Sequence, residues 1–216
     1  MTAMTFRRPD PDRCDATCFA AGTLIAVADG AVPVETLRPG DLVATVHGGP
    51  LLQPLVWVGS LHVNITRHPK PARIAPVIIR AGALGDGVPF RDLRVSPEHA
   101  LFLGGRLVPA RLLLNGSSIV QDMVCRAVTY HHIELDRHGL VISEGAVSET
   151  YVDEGSRHLF DQPKIAVLAA DGAALRGNGR YAEAVCAPVL IEGDPALEVL
   201  RRRLAVSPRP AGQQPG

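Results

Sequence analysis

Three side chains in this sequence have the chemistry of a nucleophile and two helper groups. Cys18 opens the run C-F-A-A-G-T-L-I, and a thiol is a strong nucleophile because part of it is thiolate near neutral pH. Ser96 and His99 lie three residues apart in the segment V-S-P-E-H. An imidazole with a pKa of about 6.5 can transfer protons at physiological pH. Taken singly, each also fits a plain alternative: a core thiol, a Ser-Pro turn and an ordinary histidine.

A second group of ionisable side chains lies in the segment Y-H-H-I-E-L-D-R-H, residues 130–138. Strand alternation predicts that His132, Glu134 and Asp136 share one face. That face could simply be solvated. A metal site built from His132, Asp136 and His138 would have suitable ligand types, but its spacing matches no specific signature. We therefore expect no metal and no other cofactor.

The elements that must position these groups are predicted to be strands. Gly (21 residues) and Pro (18 residues) are frequent, which favours many short strands and turns and hence an all-β fold. Residues 60–75 show no period and are expected to form a surface loop. A helical turn is predicted at Ala110–Leu114, and Gly104-Gly105 predicts a hairpin turn. The predicted strands are Thr23–Val27, Leu42–Val46, Leu55–Gly59, Val77–Arg80, Leu101–Leu103, Arg106–Val108, Val124–Leu135 and Gly139–Ser143.

One helix is predicted near the end of the chain. Asp194 is its cap and Pro195 its first residue, and leucines recur at helical spacing after them. The expected organisation is a flexible lead (1–17), one β domain (18–152), an extension that carries the helix (153–207) and a disordered tail (208–216).

Composition and charge narrow the possible partners. Lys+Arg and Asp+Glu both number 22, so the chain offers no electrostatic reason to bind nucleic acid. No apolar run approaches the roughly 20 residues that span a bilayer. The first residues lack the apolar stretch of a Sec-type signal peptide, so we expect a soluble protein, cytoplasmic or exported by another route.

The other three cysteines do not form a recognisable framework. Cys125 and Cys186 stand in apolar surroundings and are expected to be buried core thiols. Cys14 is expected to be an incidental residue of the lead; the alternative is a thiol that exchanges with Cys18. No pair has zinc-finger spacing.

The order C-F-x-x-G-T-x-I, then V-E-x-L-x-x-G-D, then S-x-x-H resembles the Hint domain, the module shared by hedgehog autoprocessing domains and inteins. Further segments, L-V-W-V-G at 55–59 and P-V-I-I-R-A-G-A-L-G at 76–85, are similar to bacterial Hint-domain-containing proteins. The resemblance covers residues 18 to about 151. It implies a disc-shaped β fold in which the two core blocks meet near the centre, with a short C-terminal helix.

The resemblance also implies a reaction. In this family the cysteine sulfur attacks the preceding carbonyl, here that of Thr17, which gives a thioester and a free amine on Cys18. His99 is then the proton-transfer residue. Ser96, where the family most often has Thr, would hold the scissile amide distorted. Asp136 and His138, or His132, would match a late block that assists the chemistry.

Two departures from the family limit that reaction. The stretch Leu140–Gly145 has Ser-Glu where splicing inteins have His-Asn, so full splicing is not expected. Residues 57–60 lack the Asp that hedgehog domains use to activate a sterol. What remains is N-terminal self-cleavage or acyl transfer by a single-turnover cysteine autoprotease, with its own N-terminal segment as substrate and water, a thiol or an amine as acceptor.

A catalytically silent Hint scaffold that serves as a structural or interaction module is the alternative. The seventeen-residue lead is short for a cargo and favours this scaffold. The presence of Cys18, Ser96 and His99 favours autoprocessing.

Overall fold

The computed structural model describes residues 17–47, 50–152, 157 and 185–206, and these form a curled, mostly β structure. They contain thirteen strands and one α-helix, α1, Pro195–Val206. Short 3-10 turns cover Val34–Thr36, Ile65–Arg67, Pro71–Arg73 and Ala110–Leu113. The strands are β1 Phe19–Ala20, β2 Leu24–Val27, β3 Gly30–Pro33, β4 Leu42–His47, β5 Leu52–Asn64, β6 Val77–Ile79, β7 Leu93–Val95, β8 Ala100–Leu103, β9 Arg106–Pro109, β10 Ile119–Gln121, β11 Ala127–Leu135, β12 Leu140–Ser143 and β13 Ala146–Glu149.

The strands join edge to edge in the order β10-β6-β7-β1-β11-β5-β4-β2-β12-β13-β8-β9, with β3 paired to β2 and β12 also paired to β4. The pairings between these strands are antiparallel. This confirms the all-β fold class expected from the sequence. No helix among the described residues is long and apolar enough to cross a bilayer.

The shortest strand sets the position of the first candidate residue. Phe19 of β1 lies opposite Val95 of β7 on one side and opposite His131 of β11 on the other. Because both pairings are antiparallel, the residue before Phe19 faces the residues that follow Val95 and His131. The register therefore brings Cys18 to Ser96 and to His132.

The C-terminal helix packs on the main hydrophobic core. Leu197 and Leu204 are buried within it, and the Arg201 Nε donates a hydrogen bond to the Leu112 carbonyl at 2.8 Å. The Ala196 N–H donates to the Asp194 carboxylate at 2.8 Å, as expected of an N-cap. The predicted helix and its cap are thus confirmed.

The surface loop expected at residues 60–75 is wrong for residues 60–64, whereas residues 65–75 form two short 3-10 turns with irregular segments. Strand β5 continues to Asn64 and pairs with β11 along its length, and Ile65 and Ile74 are buried. Half-buried Leu61 and Val63 alternate with exposed polar residues, but this alternation covers too few residues to predict a strand from the sequence. The strands that the sequence did not reveal, β7, β10 and β13, are three to four residues long.

The hairpin between β12 and β13 is held to β2 by a buried carboxylate. Glu144 and Gly145 form its turn with positive φ angles of 48° and 84°. The Glu144 side chain is 1% exposed, and its Oε1 accepts from the Leu24 N–H at 2.8 Å and from Arg91 at 3.1 Å. One side chain therefore satisfies a backbone donor and a guanidinium at once.

We expect Glu144→Ala to lower the free energy of unfolding by about 2–3 kcal/mol, because it leaves the Leu24 N–H without its acceptor and Arg91 without its counter-charge. Glu144→Gln keeps a carbonyl oxygen in place and should cost about 1 kcal/mol. Urea unfolding of both variants measures the difference. Equal losses in the two variants would contradict the assigned role of the carboxylate oxygen.

Candidate functional site

The Cys18 thiol lies against an imidazole in the interior. Its Sγ is 2.8 Å from the His132 Nε2, and the two residues are 0% and 1% exposed. Burial first, and then the charges of His99 and His131, keep the pKa of His132 well below its usual value. A neutral ring can accept the thiol proton at Nε2, so the pair has the geometry of a nucleophile and its base.

The peptide bond before Cys18 is held by the second core block. The Cys18 N–H donates to the Ser96 hydroxyl at 2.9 Å, and the Ser96 N–H donates back to the Cys18 carbonyl at 2.9 Å. Ser96 is 1% exposed. The amide nitrogen of the Thr17–Cys18 bond therefore faces a buried hydroxyl.

His99 lies beside the carbonyl side of the same bond. It is fully buried, and its ring meets the Phe19 ring edge-on at 4.3 Å. Burial lowers the pKa of His99 to about 4, although the Glu149 carboxylate and a backbone contact with Thr17 act to raise it. Neither ring nitrogen makes a hydrogen bond of standard geometry within the described residues. The sequence-based assumption of an ordinary pKa is thus wrong, because a fully buried cation loses its hydration.

Aromatic side chains close the site on the His132 side. The Tyr151 ring meets the His132 ring at 4.8 Å and the Trp57 ring at 5.2 Å. The Arg157 guanidinium stands 5.2 Å above the Trp57 ring and also pairs with Glu134. Trp57 and Tyr151 belong to the same buried cluster as Cys18, which has no exposed surface.

His138 lies in a neighbouring buried cluster and does not touch the sulfur in the way His132 does. Its Nε2 is 3.5 Å from the Glu149 Oε2, and its Nδ1 accepts from the Cys186 N–H at 3.0 Å. Burial acts to lower the pKa of His138, but hydrogen bonds with the Cys186 side chain and Glu149, and the Glu149 charge, raise it to about 9. The amide that points at Nδ1 opposes protonation, so we attribute the rise to Glu149, a buried carboxylate that needs a cation.

Asp136 is not brought to the site. It is exposed in the turn after β11, whereas His132 faces Cys18 and His138 faces Glu149. The metal trio considered from the sequence is therefore not assembled. Within the described residues no three His, Cys, Asp or Glu side chains lie close enough to hold a metal ion.

Sequence reasoning placed Cys18, Ser96 and His99 together but left His132 as one of several options. The solvated face expected for this part of β11 is wrong at His132, which is 1% exposed. No sequence pattern singles out Glu149. It stands in S-E-T, a polar triplet at the end of β13, which gives no sign that all three residues are buried.

The expectation that Cys125 and Cys186 are core thiols is wrong, since both are half-buried. The Cys125 sulfur is hydrogen-bonded to the Ala127 carbonyl at 3.2 Å near the start of β11. Cys186 lies beside His138, and its N–H donates to the His138 Nδ1 at 3.0 Å. Cys14, and the predicted lead and tail, lie outside the described residues.

A family model described as the Hint domain matches residues 17–155, which is more than half of the chain. The chain belongs to the Hint domain family. No functionally curated protein matches it.

Solved structures with a similar fold are inteins and an intein-like domain. A splicing-inactive variant of the AceL NrdHF class 3 split intein has a TM-score of 0.45 and 11% identity, over 63% of this chain and 99% of its own. A bacterial intein-like domain from Clostridium thermocellum has a TM-score of 0.39 and 12% identity, over 62% and 99%. A DnaB intein from Synechocystis has a TM-score of 0.44 and 10% identity, over 62% of this chain and 99% of its own.

The segment that follows strand β13 lies beside His132 of β11. Ser143 and Glu144 lie at a hairpin turn, so they are not the chain segment next to the nucleophile. Strand β13 runs back from that turn, and the Tyr151 N–H donates to the Ile133 carbonyl at 2.9 Å beside His132. Thr150 and Tyr151, the residues after β13, thus lie beside His132, and neither has the side-chain amide that Asn uses to cyclise.

The buried neutral state of His99 predicts acid sensitivity with a definite sign. The unfolded chain takes up a proton at this ring below a pKa of about 6.5, but the folded protein does so only near 4. The free energy of unfolding therefore decreases as the pH falls from about 6.5 to about 4. Between about pH 7 and pH 4.5, the free energy of unfolding of His99→Gln should fall by about 2 kcal/mol less than that of the wild type.

Urea unfolding at the two pH values measures this difference. His62→Gln, which changes an exposed histidine on β5, is the matched control and should keep the wild-type pH dependence. If His99→Gln lost as much stability as the wild type, His99 would not be a buried neutral ring.

Proposed function

We propose that this Hint domain processes itself by an N-to-S acyl shift at the Thr17–Cys18 bond. The observation that carries the proposal is the set of contacts around one peptide unit. Its sulfur faces the His132 Nε2 at 2.8 Å, its amide nitrogen donates to the Ser96 hydroxyl at 2.9 Å, and its carbonyl side lies by His99. A purely structural cysteine needs none of these partners.

The first step transfers the thiol proton. His132 is neutral because it is buried, so it can take the proton from Sγ and leave a thiolate next to the Thr17 carbonyl carbon. The new S–C bond then forms and the carbonyl oxygen becomes negatively charged. Water cannot screen this charge in a fully buried site, which makes nearby protein dipoles and protons more effective.

The second step breaks the C–N bond, and the nitrogen must gain a proton as it leaves. His99 has a low affinity for protons at rest, but the oxyanion that forms beside it raises that affinity. The thiol proton that His132 accepted passes to His99, the neighbouring imidazole whose charge acts on His132, and His99 then delivers it to the Cys18 nitrogen. Ser96 keeps this nitrogen in place through its hydroxyl. The products are a Thr17 thioester on Cys18 and a free α-amine, so atoms and charge balance.

The reaction ends without splicing in this proposal. The residues after β13 that lie beside the site are Thr150 and Tyr151. The step that releases a C-terminal flank therefore has no Asn to perform it. The thioester is then captured by water, a thiol or an amine. The result is N-terminal self-cleavage, or transfer of the N-terminal segment to the acceptor.

One observation favours a second candidate function, a silent Hint scaffold. Cys18 is 0% exposed and packs in one buried cluster with Trp57 and Tyr151, so an external acceptor does not reach it in this conformation. A scaffold would keep these residues for packing alone. The two candidates differ in whether the Thr17–Cys18 bond is labile.

The test is cleavage after Thr17 induced by hydroxylamine and timed by mass spectrometry. Cys18→Ala should abolish it. His132→Ala and His99→Ala should each slow it by about 10²–10⁴-fold, the range for acid–base groups. Ser96→Ala should slow it by about 10–100-fold, the value of one hydrogen bond to the amide.

Cys125→Ala is the matched control, since it removes a half-buried thiol that the reaction does not use. It should cleave at the wild-type rate. Equal rates in the wild type, Ser96→Ala, His99→Ala and His132→Ala would mean that the cleavage is adventitious, and the scaffold would be the better account.

A further inference from the structure

We propose that Glu149 is a positioning residue for His99: its buried carboxylate fixes the backbone next to that histidine and supplies a negative charge that acts on its ring. This inference rests on the proposed acyl shift. It assigns a role to a residue that lies outside the scissile peptide.

The backbone around His99 is fixed by three hydrogen bonds. Its own N–H donates to the Ser96 carbonyl at 3.1 Å, and its carbonyl accepts from the Ala110 N–H at 2.9 Å. The third bond comes from the next residue, Ala100, whose N–H donates to the Glu149 Oε1 at 2.7 Å. Glu149 thus joins the end of β13 to the first residue of β8, directly beside the histidine.

Holding one amide does not require a charged group. Glu149 is 0% exposed, and a buried carboxylate loses several kcal/mol of hydration that an Asn or Gln would not lose, by a rough continuum estimate. A buried carboxylate is therefore expected to interact with a nearby group that offsets this cost. Its charge acts on the imidazoles of His99 and His138.

His138 partly balances this charge. Its Nε2 lies 3.5 Å from the second carboxylate oxygen, and the Cys186 N–H at its Nδ1 fixes the ring orientation. The C-terminal segment that carries Cys186 therefore helps to orient the pair. The charged or titratable groups that act on His99 are then His132 on β11, His138 on the loop before β12 and Glu149 on β13.

The charge matters because of what His99 has to do. It must hold a proton briefly while the C–N bond breaks, and burial makes its protonated form costly. Glu149 acts against that cost by raising the proton affinity of the ring, and His138 acts in the opposite direction. Without the carboxylate the transient imidazolium would form less often and the acyl shift would slow.

The contribution of charge can be separated from that of the hydrogen bond. Glu149→Gln keeps a carbonyl oxygen for the Ala100 N–H and removes the charge. Glu149→Ala removes both. Glu98→Gln is the matched control, because Glu98 directly precedes His99 but pairs with Arg111 at the surface.

The first readout is the rate of hydroxylamine-induced cleavage as a function of pH. We expect Glu149→Gln to be roughly tenfold slower, the effect of about one pKa unit at His99. Glu149→Ala should be slower still, and Glu98→Gln should remain within twofold of the wild type. A wild-type rate and pH profile in Glu149→Gln would overturn the charge role.

The second readout does not depend on activity. An NMR titration of His99 in the full chain carrying Cys18→Ala should give a lower pKa when Glu149→Gln is added and no change with Glu98→Gln. If the wild type does not cleave at all, the proposed function fails while this titration still decides the role of Glu149.

A further variant covers the case in which Glu149→Gln does not fold. His138→Gln leaves the carboxylate charged but removes the imidazole that opposes it, so the pKa of His99 should rise in the same Cys18→Ala background. Circular dichroism shows which variants are folded. An unchanged His99 titration in every folded variant would mean that Glu149 has a structural role only.

Discussion

The pairing of a two-residue strand between two longer partners is the constraint on which the site depends. Strand β1 lies between β7 and β11, and this single register sets the Thr17–Cys18 bond between Ser96 and His132. A shift of one residue would turn every side chain of β1 to the opposite face of the sheet. The register of the backbone pairing therefore sets the Cys18 thiol, the Ser96 hydroxyl and the His132 ring close together.

Burial determines the electrostatics of the assembled site. His99 and His132 are neutral because neither ring can be hydrated, which makes each an acceptor of protons that it holds only briefly. Glu149 is the buried carboxylate that acts on this region, and His138 offsets part of its charge. A small change in local charge has a large effect in such an environment. The same burial that suits the chemistry also keeps external acceptors away from Cys18.

The sequence predicted the parts that local patterns encode. Cys18, Ser96 and His99 follow from short motifs, and α1 follows from its cap and its leucine spacing. The contact between Cys18 and His132 depends on a pairing across 114 residues, and β1 is too short to give a strand pattern. The lowered pKa of His99 and the burial of Glu149 depend on packing from distant segments. No local pattern carries that information, so these features emerge only in the folded chain.

The most direct test of the account is the intact mass of the purified full-length protein. Self-cleavage at the proposed bond gives a product that begins at Cys18, and its amount should grow on incubation with a thiol. The same preparation of Cys18→Ala should contain only the uncleaved chain. A wild-type protein that keeps its full mass under these conditions, or a Cys18→Ala protein that is cleaved equally, would contradict the acyl shift.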